Sequence, residues 1–230
     1  MSKPYIFQDE RLRLNGCIYC GGEADTKEHI PPKVFLDTPY PDYLPVVPAC
    51  MRCNNEKAPY EEYLACFLEC VTCGTTDISN LEREKIKRTL QHHKNLQSEI
   101  EKTKRSTPDG LVWTPEQDKI HFIAVKLAQG HIAHEEFAML EEPASVCVHP
   151  VRTLPSDIKS LFSNEEEFEE AAIWPEIGSR GFHRTVVAGN SAFAPSWIDV
   201  QKGRYRYKVI QSSAVAIVIR EYLGIYVAWE

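Results

Sequence analysis

The apolar positions keep a helical period through the middle of the chain and a strand period toward its end. After Pro59, Tyr60, Tyr63, Leu64, Phe67, Leu68 and Val71 recur at the spacing of one buried helical face, which predicts a helix ended by Gly74. A thinner stripe of Leu81, Ile86, Leu90, Leu96 and Ile100 runs through a highly charged stretch and predicts a long helix over 80–104, broken by Ser106-Thr-Pro-Asp-Gly110. Thr114-Pro-Glu-Gln reads as an N-cap with proline in the first position and Gln three residues on. It opens a second long helix to about Leu140, with Ile120, Ile123, Ala124, Leu127, Ala128, Ile132 and Phe137 on its core face. Gly130 interrupts that helix at some cost.

Beyond it, Ala144–His149 reads as a strand between two prolines, and Ser163–Glu170 as a short acidic helix. From Gly181 onward β-branched and aromatic residues dominate, predicting strands at 182–187, 196–200, 205–210, 215–222 and 225–229, with Gly203 and Gly224 as turns. Before residue 60, Pro39, Pro41, Pro45 and Pro48 exclude an interior helix from 38–48 and make it an extended connection. The predicted class is α+β. Residues 1–75 form a small metal-bound module, and residues 76–230 an α+β domain with two long helices and a C-terminal antiparallel sheet.

Composition adds limits more than identity. With 230 residues, 43% hydrophobic and 26% charged, the chain can bury a real core as one domain or two. It has no apolar run long enough for a bilayer and no signal-peptide core at its start, so no membrane partner and a cytoplasmic location are expected. There cysteines stay reduced, and paired ones are metal ligands before they are disulfides. The net charge is −7 but segregated. Leu81–Arg105 carries eight cations against four acids, and Glu135–Glu176 carries two against eleven. A nucleic acid would respond to the local field, so the total excludes nothing.

Chemistry concentrates between residues 17 and 57. Cys17-x-x-Cys20 and Cys50-x-x-Cys53 can each set two thiolates on a tight turn, together completing a tetrahedral zinc shell of four cysteines. Gly21-Gly22 follows the first pair as in a zinc knuckle, and a closed shell of four thiolates makes the zinc structural. Cys66, Cys70 and Cys73 lie on the predicted helix and, like Cys147, read as core. Between the pairs stands Thr26-Lys-Glu28-His29-Ile-Pro, and Asn54, Asn55 and Lys57 follow the last cysteine.

This stretch resembles the HNH endonucleases of the ββα-metal fold, and within them the four-cysteine branch of McrA-type and endonuclease VII-like nucleases. Cys17, Cys20, Glu28, His29, Pro31 or Pro32, Cys50, Cys53, Asn54 and Lys57 match its pattern over about a fifth of the chain. The resemblance implies that His29, in the second strand of the hairpin, is the general base that deprotonates water. It implies that Glu28 and Asn54 hold a catalytic Mg2+ or Mn2+, and that Lys57 contacts phosphate or the surroundings of its own helix. The implied reaction is phosphodiester hydrolysis, foremost of DNA, in a bacterial restriction or anti-phage setting, with a partner protein or a homodimer. Glu28 replaces the commoner Asp and Asn54 the final His. No Asn stands where the family orients its base, which leaves Asp42 or a backbone carbonyl for His29.

Three features outside the stretch carry two readings each. Lys202, Arg204, Arg206 and Lys208 alternate, so a strand would set all four on one face, either to grip nucleic acid or as a solvated face that discourages edge pairing. His131, His134 and Glu135 have a metal-capable helical spacing but read first as a polar face. The acidic run Glu165–Glu170 is a solvated face or a docking surface. At the level of the whole protein, the competing class to a nuclease is a zinc ribbon that binds nucleic acid or protein without cutting.

Overall fold

The structure, a computed structural model, describes residues 16–42, 44–108, 110–162, 197–210 and 213–229. The first two strands, β1 (Thr26–His29) and β2 (Val46–Ala49), pair antiparallel with Thr26 opposite Ala49 and His29 opposite Val46. The proline-rich connection therefore ends in a strand. A two-stranded sheet tolerates Pro48 because each strand has one side outside the ladder.

Helix α1 (Met51–Cys73) follows β2 directly, so the order is strand, strand, helix. It starts before Pro59, not after it as the apolar period predicts, because its first turns are held by polar caps and by buried Cys53 and Lys57, which no apolar period marks. Cys50 is the N-cap and accepts from the Cys53 amide, and Asp25 Oδ1 accepts from the Met51 amide at 2.7 Å. Pro59 gives up the bond to the Asn55 carbonyl, and Asn55 is exposed, where water can replace it. Gly74 ends the helix as predicted, in a left-handed conformation at φ 69°.

The long helix expected over 80–104 is two helices, α2 (Glu84–His92) and α3 (Lys94–Lys102), meeting at His93. The stripe itself explains the break: Leu90 and Leu96 are six apart, out of step with a 3.6-residue turn, so the helix must restart to bury both sides. A hairpin, β3 (Lys104–Thr107) and β4 (Gly110–Trp113), then occupies what the sequence marks only as a break. Helix α4 (Gln117–Glu136) opens at Glu116, and Thr114 does not cap it; the Thr114 amide bonds the Thr103 carbonyl instead. Gly130 has a packing reason: a Cβ there would run into Ile30 Cδ1 and come 3.5 Å from the Tyr19 hydroxyl, so α4 lies close against the first module.

The C-terminal sheet is antiparallel and ordered β5-β9-β8-β7-β6, from β5 (Ser145–Pro150), β6 (Ile198–Gln201), β7 (Tyr205–Ile210), β8 (Ala214–Ile219) and β9 (Leu223–Ala228). Central β8 is buried throughout. Val215, Ile217 and Ile219 face the main core with α1 and α4, while Ala216 and Val218 meet Leu154 and Phe162, which flank the short helix α5 (Ser156–Lys159). The strands expected at 144–149 and beyond 196 are present, and Gly203 lies in a turn. Gly224, predicted a turn, is inside β9, and the chain reverses at Arg220 and Glu221 instead, both at positive φ. The expected acidic helix 163–170 and strand 182–187 lie outside the described residues.

The α+β class and antiparallel sheet are as the sequence predicts. The core, however, continues across residue 75: Phe35, Leu36 and Leu64 share one cluster with Ile123, Tyr205 and Ile225. Buried Glu69 pairs with Arg220 and accepts from the amides of Glu82 and Arg83, both at 2.8 Å. The Arg83 guanidinium binds Asp37 and the carbonyls of Val34 and Leu36. No helix among the described residues is long and apolar enough to cross a membrane.

Candidate metal centre

Gly16 and Gly21, at φ 72° and 70°, turn the chain tightly enough for the Cys17 amide to reach the Gly22 carbonyl at 2.7 Å. The Ile18 amide bonds the Pro48 carbonyl, laying this knuckle beside β2 and the start of α1. The four sulfurs of Cys17, Cys20, Cys50 and Cys53 consequently lie within 4.8 Å of one another, and Cys20 and Cys50 are 3.8 Å apart. A tetrahedral shell with Zn–S bonds of about 2.3 Å sets its sulfurs roughly 3.8 Å apart, so the cluster can hold an ion such as zinc. The Gly22 amide, with its neighbouring thiols, draws the Cys20 thiol down to about 6.

A Cβ on Gly16 would stand 2.5 Å from the Gly22 carbonyl oxygen, in a backbone conformation side chains rarely adopt. Gly16→Ala is therefore expected to open the knuckle and weaken zinc retention at least tenfold in a chelator competition. Equal retention would mean the turn is not needed for the shell.

Directly behind the staple, Glu28 and His29 end β1, the first strand of the hairpin and not the second. The two-residue period sends Thr26 and Glu28 to the α1 side and Lys27 and His29 to the other. On the α1 side, Asn54 Nδ2 donates to Thr26 Oγ1 at 3.3 Å. Glu28 is buried and paired with Lys57, Nζ to Oε2 2.7 Å, with side chains only 8% and 2% exposed. Lys57 also reaches the Tyr19 hydroxyl at 3.3 Å and Glu61 at 3.7 Å. Burial pushes the Glu28 carboxyl up against the opposing charge of Lys57, and pushes Glu61 up to about 7. Lys57 is thus an internal counter-ion here, not an exposed phosphate contact.

On the other side, burial and the charge of Lys33 hold the His29 imidazole down to about 4, so the ring is neutral at pH 7. Its Nδ1 is buried, and no described residue hydrogen-bonds to it, neither Asp42 nor a backbone carbonyl. The structure therefore joins Lys57 to Glu28 and Asn54 to Thr26 on one face of β1 and leaves His29 on the opposite face. Tyr19, Thr26 and Glu61 join the cluster unannounced by any motif, although Glu61 stands one helical turn beyond Lys57.

The alternating cations of the C-terminal sheet do not present one free face. Lys202 is exposed, but Arg204 sits in the turn before β7 and pairs with Asp37 at 2.6 Å. Arg206 pairs with Glu221 at 3.1 Å and lies 4.5 Å over the Trp197 ring, and Lys208 is buried. His131 is core, with Nε2 2.8 Å from the Tyr205 hydroxyl and its ring stacked on Tyr207. Among the described residues the four cysteines are the one group of His, Cys, Asp or Glu side chains placed to share a metal. No protein-family model, curated protein or solved structure matches the chain.

Proposed function

We propose that the protein is a metal-dependent endonuclease of the HNH type, cutting phosphodiester bonds in DNA. One observation carries this reading. A hairpin bracketed by four zinc-competent cysteines runs straight into α1, and Asn54 in the first turns of that helix hydrogen-bonds the strand that ends in Glu28 and His29. In this reading the zinc is structural and fixes the hairpin on the helix. His29 is the general base, its neutral ring taking the proton of the attacking water, which requires the phosphate to reach round the end of β1 to the face that His29 occupies. In this reading the Asn54 side chain and the Glu28 carboxylate would hold Mg2+ or Mn2+ through hard oxygen donors, and the carboxylate would exchange Lys57 for the cation. Such a cation, when bound, stabilises charge on the scissile phosphate. A single site of this kind nicks one strand, and double-strand cleavage requires a second copy or a partner.

The Glu28–Lys57 pair favours a second reading, a zinc-stapled module that binds nucleic acid or protein without cutting, with Glu28 as part of the core. A plasmid-nicking assay in Mg2+, Mn2+ and Ni2+ separates the two. Cleavage in at least one metal, reduced about 100-fold or more by His29→Ala, is the expected result. Absence of cleavage in every metal, or cleavage that survives His29→Ala, leaves the binding module.

A further inference from the structure

The nuclease reading needs a surface that holds a phosphodiester backbone, and the C-terminal cations are largely spent on internal partners. A different set of cations is free and lies beside β1. Lys33 opens the turn that follows β1 and His29. Its Nζ stands 5.6 Å from the centroid of the Tyr40 ring, and Lys85 Nζ, from the first turn of α2, stands 6.0 Å from the same centroid. Lys85 Nζ also donates to the Lys33 carbonyl at 3.4 Å. Two ammonium groups thus converge on one half-buried aromatic ring, and among the described residues neither pairs with a carboxylate.

The acids nearby are already engaged. Asp37 accepts from Arg83 at 2.7 Å and from Arg204 at 2.6 Å, Glu84 pairs with Lys87 at 2.8 Å, and Glu82 with Arg220 at 3.5 Å. Asp37 offsets one arginine of its two, while Arg220 carries one charge against both Glu69 and Glu82, so these cancel and the excess of positive charge is that of Lys33 and Lys85. An open cleft of about 330 Å3 lies here, its lining balanced between Asp37, Glu82 and Glu84 on one side and Arg83, Lys85 and Arg204 on the other, with Tyr40 beside them. The ring's attraction for each ammonium is worth only about 0.5–1 kcal/mol at an exposed site, so both ammonium groups can still take an anion. Exposed Lys27 leaves β1 on the same face as His29 and extends the positive surface along the strand.

We infer that Lys33, Tyr40 and Lys85 form the nucleic-acid grip of this protein, seating a sugar–phosphate backbone beside His29. Tyr40 spaces the two lysines, and each lysine takes a phosphate. The inference rests on the nuclease reading for its direction toward His29, but binding can be measured without cleavage.

The test is fluorescence anisotropy with a short fluorescein-labelled DNA duplex and the matching single strand, in buffer without divalent cations, titrated at several salt concentrations. The Lys33→Ala/Lys85→Ala variant is expected to bind at least about tenfold more weakly, and its log–log salt slope to flatten by about 2, the signature of two lost phosphate contacts. Tyr40→Phe should bind as wild type and Tyr40→Ala should not. Lys159→Ala, which removes an exposed cation of α5 on the other face of the C-terminal sheet, should change affinity less than about twofold on the same nucleic-acid scale. Zinc content and thermal melting establish that each variant is folded.

A double variant with wild-type affinity and salt slope overturns the grip, as does a wild-type protein that binds neither oligonucleotide. If the wild type binds through these lysines yet cuts in no metal, the nuclease reading fails and the grip stands. If plasmid is cut equally well by the double variant, the grip fails and the nuclease reading stands.

Discussion

Cys50→Ser, or removal of the metal by a strong chelator, is expected to unfold the first module and loosen the core beyond it. Cys50 has two tasks: its sulfur belongs to the four-cysteine cluster, and it caps α1 by accepting from the Cys53 amide. The staple stands where apolar packing is thin. Around it the buried clusters are Cys17, Ala49 and Cys53, and Ile18, Ile30, Val47 and Ala133, each far smaller than the main core. A structural zinc site contributes about 10–16 kcal/mol of apparent binding energy at neutral pH, as much as the whole stability of an ordinary domain at about 5–15 kcal/mol.

The loss cannot stay local. α1 begins at the staple and ends in the main core with Leu64, Phe67 and Leu68, and Ala133 of α4 packs on Ile18 and Ile30. The purified protein should carry about one equivalent of zinc by atomic emission, and chelation should lower the melting temperature by roughly 10 °C or more. A protein that holds no metal as isolated, or whose melt is indifferent to chelation, would remove zinc from the account.

The staple was the most legible part of the chain because thiol pairs announce their geometry by spacing alone. The C-terminal strands were legible for a similar reason: β-branched residues and a two-residue period leave few alternatives at Tyr205–Ile210 or Ala214–Ile219. Misreadings cluster where polar contacts outweigh the apolar pattern. α1 starts before Pro59 because Cys50 and Asp25 cap it, an arrangement that depends on a contact 26 residues away in sequence between Asp25 and Met51. The split at His93 was visible in the six-residue gap from Leu90 to Leu96, but a charged stripe reads as continuous when its breaks are not weighed.

The site shows the same division. Glu28, Asn54 and Lys57 were named from the motif, yet motif spacing does not reveal that Lys57 turns inward to Glu28. Nor does it show that Arg204 and Arg206 have carboxylate partners, since Asp37 lies far away in sequence and Glu221 across a turn. Charge alternation describes a strand's faces. Tertiary pairing decides which of those charges remain available.

The second large effect concerns that inward lysine. Lys57→Met is expected to cost about 3–5 kcal/mol at neutral to mildly alkaline pH, because it leaves buried Glu28 without its partner and Glu61 beside it. The cost should depend on pH with a definite sign. Burial raises both carboxyls above their ordinary value, and Lys57 opposes the rise in each. A carboxyl whose folded pKa is raised contributes stability that is full below its unfolded value and is lost as pH climbs through the folded one. Without Lys57 both carboxyls rise further, so the variant loses stability over a window that extends to higher pH than in the wild type. The deficit should accordingly be larger near pH 8 than near pH 6 in denaturant titrations, a range in which the staple keeps its metal. Glu61→Gln should move the other way and gain on the wild type as pH rises through about 7, since it removes a carboxylate that burial penalises once ionised. A Lys57→Met variant as stable as the wild type near pH 6 and near pH 8 would mean that Lys57 contributes through its apolar stem, which Met keeps, and not through its charge. Glu28 would then not depend on Lys57 for its ionisation, and the obstacle that this ion pair sets against a divalent cation at Glu28 would fall away.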